Sequence, residues 1–142
     1  MQAIAKIVSE LFMLVLSVIA APTDLKEFRL DVIQQSGRVE TMVVQRVGAG
    51  FALLEQRGDT LVERGSIRPV PGKDAAFALK LGDGPEQVFD FAAAFQGFSL
   101  DGLRKAQTLD LKAADGVAIH VQRSGHVVYL TPERGRVTYA CH

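Results

Sequence analysis

Three histidines, a single cysteine and a pool of carboxylates are the residues of this 142-residue chain that could do chemistry. His120 and His126 fall in a stretch of clear alternation. Val117, Ile119 and Val121 alternate with Ala118, His120 and Gln122, Arg123-Ser124-Gly125 reads as a hairpin loop, and His126 begins the return strand. Pairing Gln122 with His126 across a three-residue loop sets His120 opposite Val128. His120, Gln122, His126 and Val128 then share one face, while Ile119, Val121, Val127 and Tyr129 line the other. Two histidines placed diagonally can approach one ion. Zinc takes at least three protein ligands, however, and only Cys141 and His142 on the terminal tail are left to complete a set. Exposed polar side chains on the outer face of a hairpin are the commoner reason for such a pair. The expectation is therefore no bound metal and no cofactor, with His120 and His126 as the metal candidates.

The catalytic inventory is thin. The chain has no Gly-x-Ser-x-Gly, no His-Glu-x-x-His, no Cys-x-x-Cys and no phosphate loop. Gly48-Ala49-Gly50 lies between two strand-like runs and reads as a turn. His120 or His126 with Asp115 is the acid–base pairing that the sequence nominates, and no catalytic residue is assigned. Cys141 has no partner in its own chain, so an internal disulfide is excluded. In an exported protein such an odd thiol points to intermolecular pairing or a free reactive group.

These residues have to be positioned by a strand-rich body. Phe28, Leu30 and Val32 alternate with Arg29, Asp31 and Ile33. A longer strand follows over 38–47, with Met42 and Val44 suggesting cover on both faces, and further short runs occupy 51–56, 60–64 and 75–81. Pro69 and Pro71 flank Val70 and mark an edge strand or an extended connection. Between 85 and 107 the period changes. Asp83 and Glu86 have capping-box spacing before a helix at 85–96, with a strand through 88–93 as the competing reading. Ser99 is a good N-cap for a second helix at 99–107, whose Asp101 and Arg104-Lys105 suit the helix dipole. Residues 109–113, 117–122, 126–131 and 136–141 close the chain as a meander with glycine at its turns.

The stretch Phe98-Ser99-Leu100-Asp101-Gly102-Leu103-Arg104-Lys105-Ala106 resembles an F-x-L-x-G-x-x-x-A segment of small proteobacterial periplasmic proteins of the invasion-associated locus B type. The resemblance covers nine residues and implies an exported β domain, although the chain lacks the paired cysteines of that family.

Leu11–Ala21 is an unbroken apolar run that governs the compartment. Lys6 and the amino terminus give a positive start, and Val18 and Ala20 are spaced for cleavage between Ala20 and Ala21. Glu10 sits against the run, which is short for a membrane span. Gln2, Lys6, Ser9, Glu10, Met13 and Ser17 form a narrow stripe at helical spacing, as in a helix buried in its own domain. The favoured expectation is a signal peptide over 1–20. The alternatives are an uncleaved anchor and an integral helix.

Lys plus Arg and Asp plus Glu balance at 16 each, without a basic block, so nothing favours a nucleic-acid partner. A helix-turn-helix over 85–107 would present only Arg104, Lys105 and Gln107 to DNA. The combined expectation is a mainly β (α+β) protein, an antiparallel sandwich or partly open barrel of about seven or eight strands. One or two short covering helices lie near 85–107 and an apolar helix precedes the single domain 21–142. The expected function is non-enzymatic, an exported or envelope-associated domain that binds a protein partner or its own copies and meets a membrane only through 3–21 if these remain. A carrier of small apolar ligands in a barrel cavity is one alternative. The other is a metal-dependent enzyme using the His120/His126 face. The compartment expected is periplasmic or secreted, or membrane-anchored or cytoplasmic if 3–21 stays as a helix.

Overall fold

A computed structural model describes residues 2–113, 116, 118–133 and 137–142, and for residues 2–9 the helical backbone alone. Helix α1 (Gln2–Ile19) is followed by strands β1 (Glu27–Gln34), β2 (Val39–Val47), β3 (Gly50–Arg57), β4 (Thr60–Pro69), β5 (Ala76–Leu81) and β6 (Gln87–Asp90). Two short helices, α2 (Phe91–Ala94) and α3 (Leu100–Lys105), lead to β7 (Thr108–Lys112), β8 (Ala118–Ser124), β9 (Val127–Pro132) and β10 (Val137–Cys141). All neighbouring strands are antiparallel in one open sheet of order β6-β5-β4-β3-β2-β1-β10-β9-β8-β7.

Why one sheet can share one helix follows from dimensions. Ten strands at the usual spacing would extend roughly 40 Å if flat, against about 10–12 Å for the width of a helix. Yet every strand contributes at least one residue to the same buried cluster as α1, from Phe28 and Leu30 in β1 to Tyr139 and Cys141 in β10. The sheet therefore curls around the helix. Its two ends, β6 and β7, are linked through α2 and α3, and Phe95 forms an isolated antiparallel bridge with Ala113.

The C-terminal half of α1 is the centre of the core. Val15, Leu16, Val18, Ile19, Ala20 and Ala21 are fully buried, and Met13 nearly so. A helix with a wide apolar surface must be covered, and this half is enclosed. The polar stripe anticipated through Met13 and Ser17 does not face water here. Ser17 is buried, and its hydroxyl donates to the Met13 carbonyl at 2.6 Å, the local back-bond by which a serine satisfies itself inside a helix.

The body has ten strands in a single sheet rather than seven or eight, and two packed sheets of a sandwich are not formed. One added strand and one lengthened strand distinguish the sheet from the segments read in the sequence. The 85–96 segment splits into the four-residue edge strand β6 and the one-turn α2, so the long helix anticipated there is not formed. The run Gly65–Pro69 is not an edge or a connection: it continues β4, which lies between β3 and β5. Pro69 is tolerated because it is the last residue of the strand, and the Val70 amide still donates to the Ala76 carbonyl at 2.9 Å. An extra residue, Arg64, bulges opposite the Leu53–Leu54 step. Next to it a Cβ on Gly65 would clash with the Lys80 carbonyl, so only glycine lets β5 approach. The helix expected at 99–107 forms as α3, with the Ser99 hydroxyl accepting from the Gly102 amide at 3.0 Å. The turn residues Ala114 and Asp115, with Val117 and 134–136, lie outside the described residues.

Candidate functional site

The β8–β9 hairpin has a different register from the one that alternation suggested. Ser124 pairs with Val127 across a two-residue turn, Gln122 with Tyr129 and His120 with Thr131. Gly125 occupies the first central position at φ +61°, as a tight hairpin turn with glycine first requires. The sequence signal was ambiguous because Arg123 and Ser124 could be either strand or loop. The consequence is that Val128 and Leu130, not Val127 and Tyr129, face the core. His126 moves into the turn, away from the face that carries His120.

The histidines consequently have separate surroundings. His120 Nδ1 lies 2.6 Å from Asp110 Oδ1 on the neighbouring β7, His126 Nδ1 lies 4.0 Å from Asp24, and His142 Nε2 lies 2.6 Å from Asp31. No group of three or more His, Cys, Asp or Glu side chains is arranged for a metal among the described residues. The His120–Asp110 pair could orient an imidazole as a base, but both side chains are more than half exposed and solvated. The alternative partner Asp115 lies outside the described residues. Asp31 is pushed up by burial, but hydrogen bonds from Thr41 and His142, with the charges of His142 and Arg29, outweigh this and hold it below the usual carboxylate range.

Cys141 is not on a tail. It is a β10 residue opposite Leu30 and Val128, fully buried, and its thiol donates to the Ser17 carbonyl of α1 at 3.2 Å. Burial, reinforced by Asp31, pushes the thiol up to about 12 against a partial opposing effect of Arg123. Its sulfur is enclosed between β10 and α1.

Two places remain where the molecule presents something unusual. The first is the seam between the sheet ends. Phe91, Phe95 and Phe98 pack in succession, with ring centroids 6.5 and 5.8 Å apart, and Phe12 of α1 approaches Phe91 and Phe95 at 4.9 and 5.5 Å. Asp90 caps α2 by accepting from the Ala93 amide at 3.2 Å, and Lys73 holds Asp90 at 3.5 Å. Alongside this wall, a groove of about 850 Å³ is lined by Ala93, Phe95, Phe98, Leu109 and Leu111, and runs along the outer edge of β7.

The second is the end of α1, where three arginines from distant elements meet. Arg104 Nε donates to the Ile19 carbonyl at 2.9 Å and Arg123 Nη2 to the Ala20 carbonyl at 2.9 Å. Arg46 reaches the carbonyls of Ala21, Pro22 and Leu25 at 3.4, 2.9 and 2.8 Å. The Ile19 and Ala20 carbonyls lie at the negative end of the helix dipole, so the guanidinium caps of Arg104 and Arg123 are favourable there, and Arg46 holds the loop that follows the helix. Arg46 also lies over the rings of Phe28 and Phe51, at 5.8 and 5.0 Å. Burial lowers all three guanidinium pKa values. For Arg104 the charges of Arg46 and Arg123 add to the effect, against a partial opposing effect of Asp101. Arg104 and Lys105 had a legible role at the end of α3, but nothing in the sequence links Arg46, Arg104 and Arg123.

No protein-family model matches the chain, and neither a characterised protein nor a solved structure matches it. The nine-residue likeness at Phe98–Ala106 thus corresponds to a local structure, a capped turn of helix.

Proposed function

We propose that this protein is a non-enzymatic β domain that binds an extended segment of a protein partner along the free edge of β7. The observation that supports this best is the groove at the seam. An edge strand leaves a row of backbone donors and acceptors unpaired, and here a groove of mixed lining, with Phe95, Phe98 and Leu109 beside Asp110 and Lys112, lies next to it. Such an edge gives affinity through main-chain hydrogen bonds, and the groove would select alternate side chains. A photocrosslinker placed at Lys112 in β7, with a control at Arg38 on the far β1–β2 turn, tests this in the native cell. The reading requires one discrete adduct from the β7 position and none from the control, and amide protection of β7 in the isolated complex. Equal labelling from both positions refutes it.

In this proposal α1 stays with the domain. Cleavage between Ala20 and Ala21 would remove Val15, Leu16, Val18 and Ile19 from the core and the Ile19 and Ala20 carbonyls from Arg104 and Arg123. Of the three fates open to the N-terminal run, the buried helix has this support. No helix among the described residues is long and apolar enough to cross a membrane. The reading of the chain as an apolar-ligand carrier needs an interior cavity, and α1 occupies that interior. Intact mass of protein made in an export-competent host decides the point: retention requires the full chain, and loss of 1–20 with a folded remainder refutes it.

A further inference from the structure

We propose that the arginine cluster at the C-terminal end of α1 is a binding site for a small tetrahedral oxyanion, phosphate or sulfate. Three guanidinium groups are held within hydrogen-bond reach of the consecutive carbonyls of residues 19–22, which confines three positive charges to one end of one helix. Their positions are set by rigid parts of the fold: Arg46 by β2, Arg104 by α3 and Arg123 by β8.

Their charge is less compensated than that of four other arginines. Arg38, Arg57, Arg64 and Arg68 each meet a carboxylate, at distances from 2.5 to 3.3 Å. Among the described residues, Arg46, Arg104 and Arg123 form no ion pair with a carboxylate; their hydrogen bonds go to backbone carbonyls, and Arg46 also lies over the Phe28 and Phe51 rings. The helix end supplies roughly half a negative charge against three positive ones. Asp24 and Asp101 act on the cluster from a distance, but Asp24 faces His126 at 4.0 Å and Asp101 pairs with Lys105 at 3.2 Å.

The donors needed are present as well. A guanidinium carries five N–H groups in a planar fork. In the described bonds Arg104 uses only Nε, and Arg46 and Arg123 use Nε and Nη2. Each group is part-buried, so it keeps a solvent-facing side where an anion could take bidentate N–H bonds from Arg104 and single bonds from its neighbours. The carbonyls beneath fix the forks in advance, so little side-chain ordering is left for the binding step.

The test follows the arginine Nε–Hε resonances of the full-length protein by NMR. The probes are inorganic phosphate, sulfate and methyl phosphate, each added against sodium chloride at matched ionic strength. The site predicts saturable shifts at Arg46, Arg104 and Arg123 that chloride does not reproduce, with Arg38 and Arg57 unmoved. Tighter binding of methyl phosphate marks a phosphate ester as the natural source, and equal or tighter binding of the inorganic ions marks the free anion. Arg104→Gln is predicted to weaken binding at least tenfold and Arg104→Lys by less. Shifts that do not saturate, that appear equally with chloride or that extend equally to Arg38 and Arg57 overturn the proposal. Should Arg104→Gln fail to fold, the wild-type titration decides alone.

Discussion

Replacing Leu16 by alanine examines the role of α1 at its most enclosed point. Leu16 is fully buried in the helix half that every strand of the sheet packs around. The substitution deletes most of a side chain that has no route to water, and the curled sheet cannot collapse onto the gap without breaking pairings. Leucine-to-alanine changes at such sites cost about 2–5 kcal/mol, and a central value of about 3 kcal/mol is appropriate here. Alanine is the better helix former, by only a few tenths of a kcal/mol, which does not change the sign. Against a typical domain stability of about 5–15 kcal/mol this is a large fraction, and it corresponds to a melting temperature lower by about 6–12 °C. Urea denaturation of both proteins, followed by circular dichroism, measures the difference. The exposed Val47→Ala serves as control and should change stability by less than about 1 kcal/mol. A loss below about 0.5 kcal/mol for Leu16→Ala would refute the reasoning, because a side chain outside the core leaves no cavity.

Other outcomes follow from the same structure. Cys141 should react with a thiol reagent only as fast as the protein unfolds, and Tyr129 iodination, at an exposed site, provides the contrasting fast reaction. Because the folded thiol is raised to about 12, its contribution is fully present below the unfolded value near 9 and is lost as pH rises towards 12. Stability should therefore fall by up to about 4 kcal/mol over that window, and Cys141→Ala should flatten this slope in alkaline urea titrations. Arg123→Met removes donors from the carbonyls of Ala20, Leu103 and Ala106 and should cost about 2–3 kcal/mol by the same denaturation assay. Asp110→Asn breaks only an exposed pair with His120 and should stay within about 0.5 kcal/mol of wild type. A chain of residues 21–142 should show no cooperative thermal transition in calorimetry.

Much of the sheet was legible because its strands alternate and its turns carry glycine. β1 and the meander of β7 to β9 follow the period-two pattern, β5 is instead buried on both faces over Ala76–Leu79, and the double cover anticipated at the middle of β2 is seen in Val43 and Val44, both buried. Short or interrupted strands were harder. β6 has only four residues, and β4 runs through Gly65 to Pro69, which read locally as punctuation. A displaced turn was enough to reverse the faces of β9 and to separate His126 from His120, since the side-chain period is two. The apolar run was ambiguous for a physical reason: an export signal and a helix enclosed by a sheet require the same composition. What distinguishes them lies far along the chain. Arg104 and Arg123 reach α1 across 85 and 103 residues, and Cys141 across 124.

Hydrogen exchange of the α1 amides in the intact protein bears most directly on the claim that this helix is a fixed part of the domain. The amides of Val15 to Ile19 lie in the helix and under the sheet. They should exchange only through global opening, with protection equal to that of Leu30 in β1 and Leu130 in β9. Exchange of Val15–Ile19 at the rates of an unstructured peptide, with β1 and β9 still protected, would contradict the account.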